Sequence, residues 1–233
     1  MTRYHEIDLL RGSAFCAMVI YHTAFDLVFF LGYAIPVTQG GWYVFARSIA
    51  ITFLLLVGIN AYLKVQQTKS TRLLLKQGLL VLGAGLLVTI VTWLVIPEQY
   101  VRFGILHLIG VSILLIFPFI KRPLIASITG IISIVGGFWL KTQTVTQSWT
   151  IPLGLLPRPF SSVDYFPLFP WFGVVLLGIG LGHLLYPYGK PRYPLTIKNK
   201  VFEWCGKHSL VLYLLHQPSL IGIILGARSI GLL

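Results

Sequence analysis

The stretch Leu9–Leu31 reads LLRGSAFCAMVIYHTAFDLVFFL and indicates the class of fold. A helix needs about 20 mostly apolar residues to cross the hydrocarbon core of a bilayer, and this stretch is long enough. It is not expected to be a cleaved signal, because the apolar run is too long and lacks a convincing small-residue cleavage site. Its polar residues, Arg11, His22 and Asp26, therefore belong to a first transmembrane helix.

Six further apolar runs follow, at residues 43–63, 73–96, 103–120, 123–140, 169–186 and 208–227. Charged residues make up only 10% of the chain and hydrophobic residues 56%, with a mean hydropathy of +0.85. Soluble domains carry roughly 25% charged residues, so a soluble fold is excluded. We predict an all-α fold, a polytopic membrane helix bundle of about seven transmembrane helices. Residues 1–233 are expected to form a single domain that includes an outer loop or cap at 141–168.

The basic residues sit in alternate loops, which predicts the orientation of the bundle. Eleven of them fall in three loops: Lys64, Lys69, Arg72, Lys76, Lys121, Arg122, Lys190, Arg192, Lys198, Lys200 and Lys207. Cytoplasmic loops carry the excess of Lys and Arg, so the N-terminus is predicted to be cytoplasmic and the C-terminus extracytoplasmic. The net charge of +12 is attributed to these loops, and no nucleic acid partner is expected. Cys16 and Cys205 fall on the predicted cytoplasmic side, where no disulfide is expected.

Four ionisable residues of the first helix share one face. At about 100° per residue, Asp8, Arg11, His22 and Asp26 lie within roughly 120° of arc. Each would cost about 2.5–3.5 kcal/mol if it faced lipid at mid-membrane, so the stripe predicts a polar interior. Arg11 and His22 are about 16 Å apart along the axis and do not touch in a straight helix. The inner pair, Asp8 and Arg11, has the i,i+3 spacing that allows an ion pair.

The outer pair, His22 and Asp26, has the i,i+4 spacing that lets a carboxylate meet an imidazole. A carboxylate bonded to one ring nitrogen fixes the tautomer and raises the basicity of the other, which is the arrangement of a general base. The alternative is an ion pair that only satisfies itself within the helix packing.

Other polar residues are concentrated in the predicted outer half of the bundle: Arg47, Arg102, His107, Asp164, Tyr165 and His216. For Arg47 and Arg102 the alternative is snorkelling to the interface. For His107 and His216 it is a structural hydrogen bond. No Cys and His spacing is typical of a zinc site, so no metal is expected. A haem held by isolated histidines is disfavoured, because no predicted span supplies two well-spaced ligands.

Several segments in this order resemble a known family. They are Arg3–Gly12 with Met18–His22, then Phe103–His107, Asp164–Gly173 and His208–Pro218. Together they are similar to the bacterial heparan-alpha-glucosaminide N-acetyltransferase catalytic-domain-like family, one of a wider group of transmembrane acyltransferases. The resemblance covers most of the chain. It places the protein among the multi-pass proteins of the plasma membrane, which in a bacterium is the inner membrane.

The resemblance implies transfer of an acyl group, usually acetyl, from cytosolic acyl-CoA to a sugar or glycan beyond the membrane. An arginine followed eleven residues later by a catalytic histidine is a motif of the sugar O-acyltransferases in that group, and it maps onto Arg11 and His22. The lysosomal N-acetyltransferases have asparagine at the position of His22, so O- and N-transfer both stay open. Membrane lipid, acyl-CoA and a sugar are the expected partners, and the oligomeric state, a homodimer included, is left open.

We therefore assign residues to three roles. The catalytic set is His22, Asp26, His107 and His216, with His22 as general base and the later histidines or Arg102 as donors to the oxyanion. The set for the acetyl-CoA or other acyl-CoA co-substrate is Arg11, Asp8 and Arg47. The acceptor-binding set is Arg102, Asp164, Tyr165 and Trp171. Two other functions remain alternatives: a small-anion or proton-coupled membrane transporter, and a non-enzymatic scaffold or sensor.

Overall fold

A computed structural model describes residues 3–68, 70–193 and 197–232, so the predicted loop residue Lys69 lies outside the described residues. Within these ranges six helices are long and apolar enough to cross a membrane. They are α1 (His5–Leu31), α2 (Gly40–Thr68), α3 (Arg72–Val95), α5 (Pro123–Leu140), α6 (Leu168–Leu185) and α8 (Ser209–Ser229). The protein is an integral multi-pass membrane protein, and the predicted helical bundle class is confirmed.

The predicted fourth span is built differently from the other six. Residues 103–120 contain an 11-residue apolar helix, α4 (Ile105–Leu115), which rises about 16 Å, against a hydrocarbon core of about 30 Å. Gly104 precedes it in an extended conformation and Pro118 follows its end, as proline commonly does beyond a helix. The non-helical chain on both sides of α4 is itself buried, at Val101, Phe103, Ile116 and Ile120. This short helix with buried irregular flanks occupies the predicted span.

The described chain contains two compact units, and α2 runs through both. The first unit takes residues 54–193 and centres on α6, whose Val175, Leu176 and Ile179 are fully buried. A Cβ on Gly58 of α2 would collide with the backbone of Val175 and Gly178. Small residues allow helices to approach closely in lipid, and Gly58 of α2 and Gly178 of α6 meet backbone to backbone in this way.

The chain between α5 and α6, which corresponds to the predicted cap, has ordered local structure. It contains β1 (Thr144–Val145), a 3-10 turn at Ser148–Leu153 and β2 (Leu156–Pro157). The two strands pair in parallel, with Thr144 opposite Leu156 and Val145 opposite Pro157. Tyr165, at the end of this segment, pairs with Phe103 just before α4. The cap is therefore tied to the start of α4.

The second unit takes residues 3–53 and 197–232. Phe15 and Met18 of α1 pack against Ile49 of α2 in a buried apolar cluster. The predicted basic loop before the last span contains a short amphipathic helix, α7 (Lys200–Lys207), whose first backbone N–H groups are capped by the Asn199 side chain. A Cβ on Gly12 would collide with the Phe202 carbonyl, so α7 lies directly against the backbone of α1.

Candidate active site

Two histidines meet between the first and last helices of the second unit. The rings of His22 on α1 and His216 on α8 lie 5.0 Å apart between centroids, edge to face at 69°. The Nδ1 of His216 is 2.6 Å from the Tyr213 carbonyl, which only accepts, so Nδ1 carries the proton. The neutral ring then presents Nε2 as a bare lone pair. Within the described residues, that Nε2 and the buried Nδ1 of His22 have no hydrogen-bond partner.

The carboxylate of Asp26 lies one turn beyond His22 and is almost fully buried, at 1% exposure. Its Oδ1 accepts a 2.6 Å hydrogen bond from Nε2 of Gln217, the residue after His216. The expected bond between Asp26 and His22 is not formed, since no ion pair or hydrogen bond joins them in the described ranges. The i,i+4 spacing permits that bond, but a primary amide on the neighbouring helix supplies a closer donor.

Aromatic side chains surround the two histidines. Phe15 and Tyr213 lie 6.1 and 5.3 Å from the His216 ring, and Tyr21 lies 5.7 Å from the His22 ring. The Tyr21 hydroxyl donates to the Val37 carbonyl at 3.4 Å, which ties this wall to the chain before α2. The apolar faces of these rings offer few hydrogen bonds, so the polar atoms of the histidines remain available to a ligand.

The polar atoms that this cluster offers to a ligand are hydrogen-bond acceptors without a partner. Besides the bare nitrogen of His216, Oδ2 of Asp26 and Oε1 of Gln217 are buried and lack a partner among the residues described. Buried polar atoms are nearly always paired, by protein, water or ligand. Four such atoms on adjacent side chains fit a ligand with several O–H or N–H donors, and the imidazoles fit proton transfer.

The inner pair of the stripe is formed as predicted. Arg11 bonds Asp8 at 3.3 Å, and it also donates to the Gly206 carbonyl of α7 at 3.3 Å. The guanidinium therefore fastens α7 to α1. Arg47 is the other residue assigned to the co-substrate. Its guanidinium lies 5.0 Å from the Tyr43 ring.

His107, in the first unit, is held by a complete set of hydrogen bonds. Its Nδ1 accepts from the backbone N–H of Gly104 at 3.2 Å, so Nε2 carries the proton and donates to the Thr89 hydroxyl at 3.2 Å. Thr89 in turn donates to the Val101 carbonyl at 2.6 Å. Both ring nitrogens are occupied, so this geometry matches the structural alternative for His107 and leaves no lone pair for catalysis.

The four residues assigned to the acceptor also lie in the first unit. Asp164 Oδ2 accepts from the Ile105 N–H at 3.0 Å and so caps α4, while the Tyr165 hydroxyl donates to the Ile151 carbonyl at 2.7 Å. Burial raises the pKa of Tyr165 above its ordinary value, which keeps its phenol protonated. The Trp171 ring is 5.2 Å from Phe166.

Arg102 is placed differently from those three residues. Its guanidinium lies 4.9 Å from the Tyr100 ring and 5.5 Å from the Phe160 ring, and its buried Nε has no hydrogen-bond partner in the described chain. A cation stacked on rings with a donor to spare is the one feature of this group that suits an anion or an acceptor oxygen.

Sequence reasoning missed Gln217 as a member of the site. It stands next to His216 and before Pro218, and only the pairing of α1 with α8 brings it to Asp26. The described residues contain no group of three or more His, Cys, Asp or Glu side chains arranged to hold a metal ion.

The family model described as heparan-alpha-glucosaminide N-acetyltransferase, catalytic, matches residues 3–218, which is nearly the whole chain. Neither a curated protein nor a solved structure matches at a significant level.

Proposed function

Because the chain belongs to the heparan-alpha-glucosaminide N-acetyltransferase catalytic family, and is thus a membrane acetyltransferase, we propose that it moves the acetyl group of cytosolic acetyl-CoA to a sugar. The acceptor is a hydroxyl or amine of a sugar or glycan on the extracytoplasmic side. Family membership supports the reaction class. The positions of the donor and acceptor follow from the predicted orientation of the helices.

The observation that carries the proposal is the pair of half-buried histidines, His22 and His216, each with a buried ring nitrogen that lacks a partner among the described residues. A neutral imidazole near a bound hydroxyl or amine is the usual general base for acyl transfer. The unsatisfied oxygens of Asp26 and Gln217 beside it suit the several hydroxyls of a sugar. Both features point to an acceptor bound at this cluster.

In the proposed reaction His22 takes the proton of the acceptor group as its oxygen or nitrogen attacks the thioester carbonyl. His216 accepts a hydrogen bond from the acceptor through its bare Nε2 and so orients the attacking atom. The new C–O or C–N bond forms, the C–S bond breaks, and the imidazolium of His22 returns the proton to the departing CoA thiolate. The products are the acetylated sugar and free CoA.

The proposed route for the donor begins near α7. Arg11 is occupied by Asp8 and Gly206, which supports a role in fixing α7. The exposed Lys200 at the start of that helix remains available to phosphates. A helix with basic side chains near the cytoplasmic end of α1 suits the CoA head, with the thioester directed along α1 towards His22.

The test is transfer of radiolabelled acetyl from acetyl-CoA to amino sugars and glycans by the protein in liposomes. We expect His22→Gln to lower the turnover rate by about 10²–10⁴-fold, the range typical of losing a general base. The matched control is His208→Gln, because His208 is exposed and bonds only the Trp204 carbonyl of its own helix segment.

Normal transfer by a folded His22→Gln protein would rule out His22 as the base. A large loss in His216→Gln with activity kept in His22→Gln would move that role to His216. Substrate flux in liposomes without acetyl-CoA, together with no labelled product, would favour the transporter instead.

A further inference from the structure

The only two cysteines of the chain are neighbours in the fold. Cys16 lies on α1 and Cys205 on α7, nearly the full length of the sequence apart. Their thiols interact with each other, and both side chains pack against the same apolar cluster of Phe15, Met18 and Ile49. Both are free thiols and both are partly accessible. Neither takes part in the proposed acetyl transfer.

The crossing of α1 and α7 keeps the two thiols together. Gly12 and Gly206 bring the helix backbones into contact, since a Cβ on either residue would collide with the other helix. Arg11 donates to the Gly206 carbonyl, next to Cys205, at 3.3 Å. One turn earlier in α7, Glu203 bonds His5 of α1 at 2.9 Å. Three kinds of contact within a few residues thus restrain Cys205 against α1.

We propose that Cys16 and Cys205 form an oxidisable dithiol, whose closure to a disulfide covalently joins α7 to the first transmembrane helix. Disulfide closure requires the two Cβ atoms to approach closely, which neighbouring side chains on touching helices achieve with small movement. Cys16 lies about 10 Å along the helix from Leu9, where the apolar run begins. An oxidant dissolved in the membrane can reach Cys16 at this depth, and a lipid-soluble quinone has the right chemistry.

The reaction balances with that oxidant. Two S–H bonds break and one S–S bond forms, while the two electrons and two protons pass to the quinone oxygens and give the hydroquinone. A small thiol such as reduced glutathione reverses closure by thiol–disulfide exchange, with formation of its own disulfide. The reduced dithiol is the form expected in a reducing cytoplasm, so the disulfide marks an oxidised state of the membrane.

The experiment uses the full chain in lipid nanodiscs, treated with decylubiquinone or with decylubiquinol. The protein is then denatured in SDS, labelled with polyethylene-glycol maleimide and examined by non-reducing gel and intact mass. We expect two labels after the quinol and none after the quinone, on a monomer lighter by the mass of two hydrogens. Dithiothreitol restores both labels.

Two single variants are the controls. Cys16→Ser and Cys205→Ser should each keep their one label after the quinone, because neither has an intramolecular partner. Two retained labels on the quinone-treated wild type would overturn the proposal. So would loss of label from the single variants, or a product that consists only of cross-linked dimers.

The crossing itself supplies a second test. Gly206→Leu should separate α7 from α1 and slow loss of the labels at least several-fold, whereas Gly226→Leu on α8, where the structure has open space, should not. Equal rates in both variants would show that the contact of the two helices does not bring the thiols together.

Discussion

At the residue scale, the histidine cluster contains polar atoms that lower the stability of the unliganded protein but can bind a ligand. Four buried polar atoms of His22, Asp26, His216 and Gln217 lack partners among the described residues. An unsatisfied buried polar group costs about 1–3 kcal/mol, which a purely structural site would avoid by using apolar side chains. Such a cost is characteristic of binding and catalytic sites, where the ligand supplies the missing partners.

Replacing His22 by leucine should therefore separate function from folding. His22→Leu removes an unpartnered ring nitrogen and keeps a side chain of similar size, so the unliganded protein should unfold at the same or a higher temperature. Acetyl transfer should fall by at least 100-fold. Thermal unfolding in detergent and labelled acetyl transfer measure the two effects. A large drop in both would show that His22 is needed mainly for folding.

Gln217→Ala should have the opposite effect on stability. It removes the donor to Oδ1 of Asp26 and leaves a buried carboxylate with no partner from the described chain, at a cost of about 1–3 kcal/mol in the free energy of unfolding. The fall in unfolding temperature is the measurement. The control is Ser219→Ala, two residues on, where an exposed hydroxyl bonds only its own helix. Equal stability of the two variants would contradict the assigned role.

At the scale of elements, α7 is held on α1 by glycine contacts and by the carboxylate of Glu203, which has two basic side chains beside it. Glu203 bonds His5 at 2.9 Å and lies 4.0 Å from Lys207. The Gly12 and Gly206 contacts let the two helices approach closely, and these polar contacts fix the orientation of α7. A short amphipathic helix that would be unstable alone is thus stabilised by its partner.

Gly206→Ala should loosen this crossing, because the added methyl group meets the Asp8 carbonyl of α1. We expect a loss of about 1–3 kcal/mol in stability, the usual range for overpacking, and faster proteolysis of the segment before α7. In contrast, Gly226→Ala on α8 meets no atom within 4 Å and should gain up to about 1 kcal/mol from helix propensity. Matching signs for the two variants would refute the tight crossing.

The same helix gives a dependence on pH. The hydrogen bond from His5, aided by the nearby charge of Lys207, lowers the pKa of Glu203 from its ordinary 4.5. The folded protein then binds this proton less tightly than the unfolded chain does. The stabilisation is therefore present above pH 4.5 and is lost as the pH falls through the lowered pKa.

The difference in unfolding temperature between wild type and Glu203→Gln should shrink as the pH falls from about 6 to about 3. Wild type and variant share every other ionisable group, so the difference between the two proteins isolates Glu203. A constant difference across that range would disprove a contribution from the Glu203 carboxylate.

At the scale of the whole molecule, apolar runs predict the crossing helices because each must satisfy its own backbone in lipid. The run at residues 123–140 corresponds to a helix of the same bounds. Apolar runs do not predict which distant segments come into contact. Asp26 has an expected partner four residues away, yet its bond goes to Gln217 on the last helix. Likewise α7 is too short to show in hydropathy, and the closed bonding of His107 depends on how α3 meets α4.

The short α4 makes the number of crossings a test of the whole topology. Non-helical chain at membrane depth is tolerated only where protein buries it, and the flanks of α4 are buried at Val101, Phe103, Ile116 and Ile120. We therefore expect residues 97–121 to complete a crossing. The termini then lie on opposite sides, and Lys121 and Arg122 lie in the cytoplasm, as their charge favours.

Alkaline phosphatase, which is active only outside the cytoplasm, and a fluorescent protein that matures inside report the side of each fusion point. Fused after Leu232, the phosphatase should be active, and fused after Arg122 it should be inactive, with the fluorescent protein giving the reverse pattern. If α4 turned back within the membrane, every later loop and the C-terminus would change sides. If the phosphatase were inactive after Leu232 and active after Arg122, the chain would cross the membrane six times and not seven. The C-terminus would then lie in the cytoplasm.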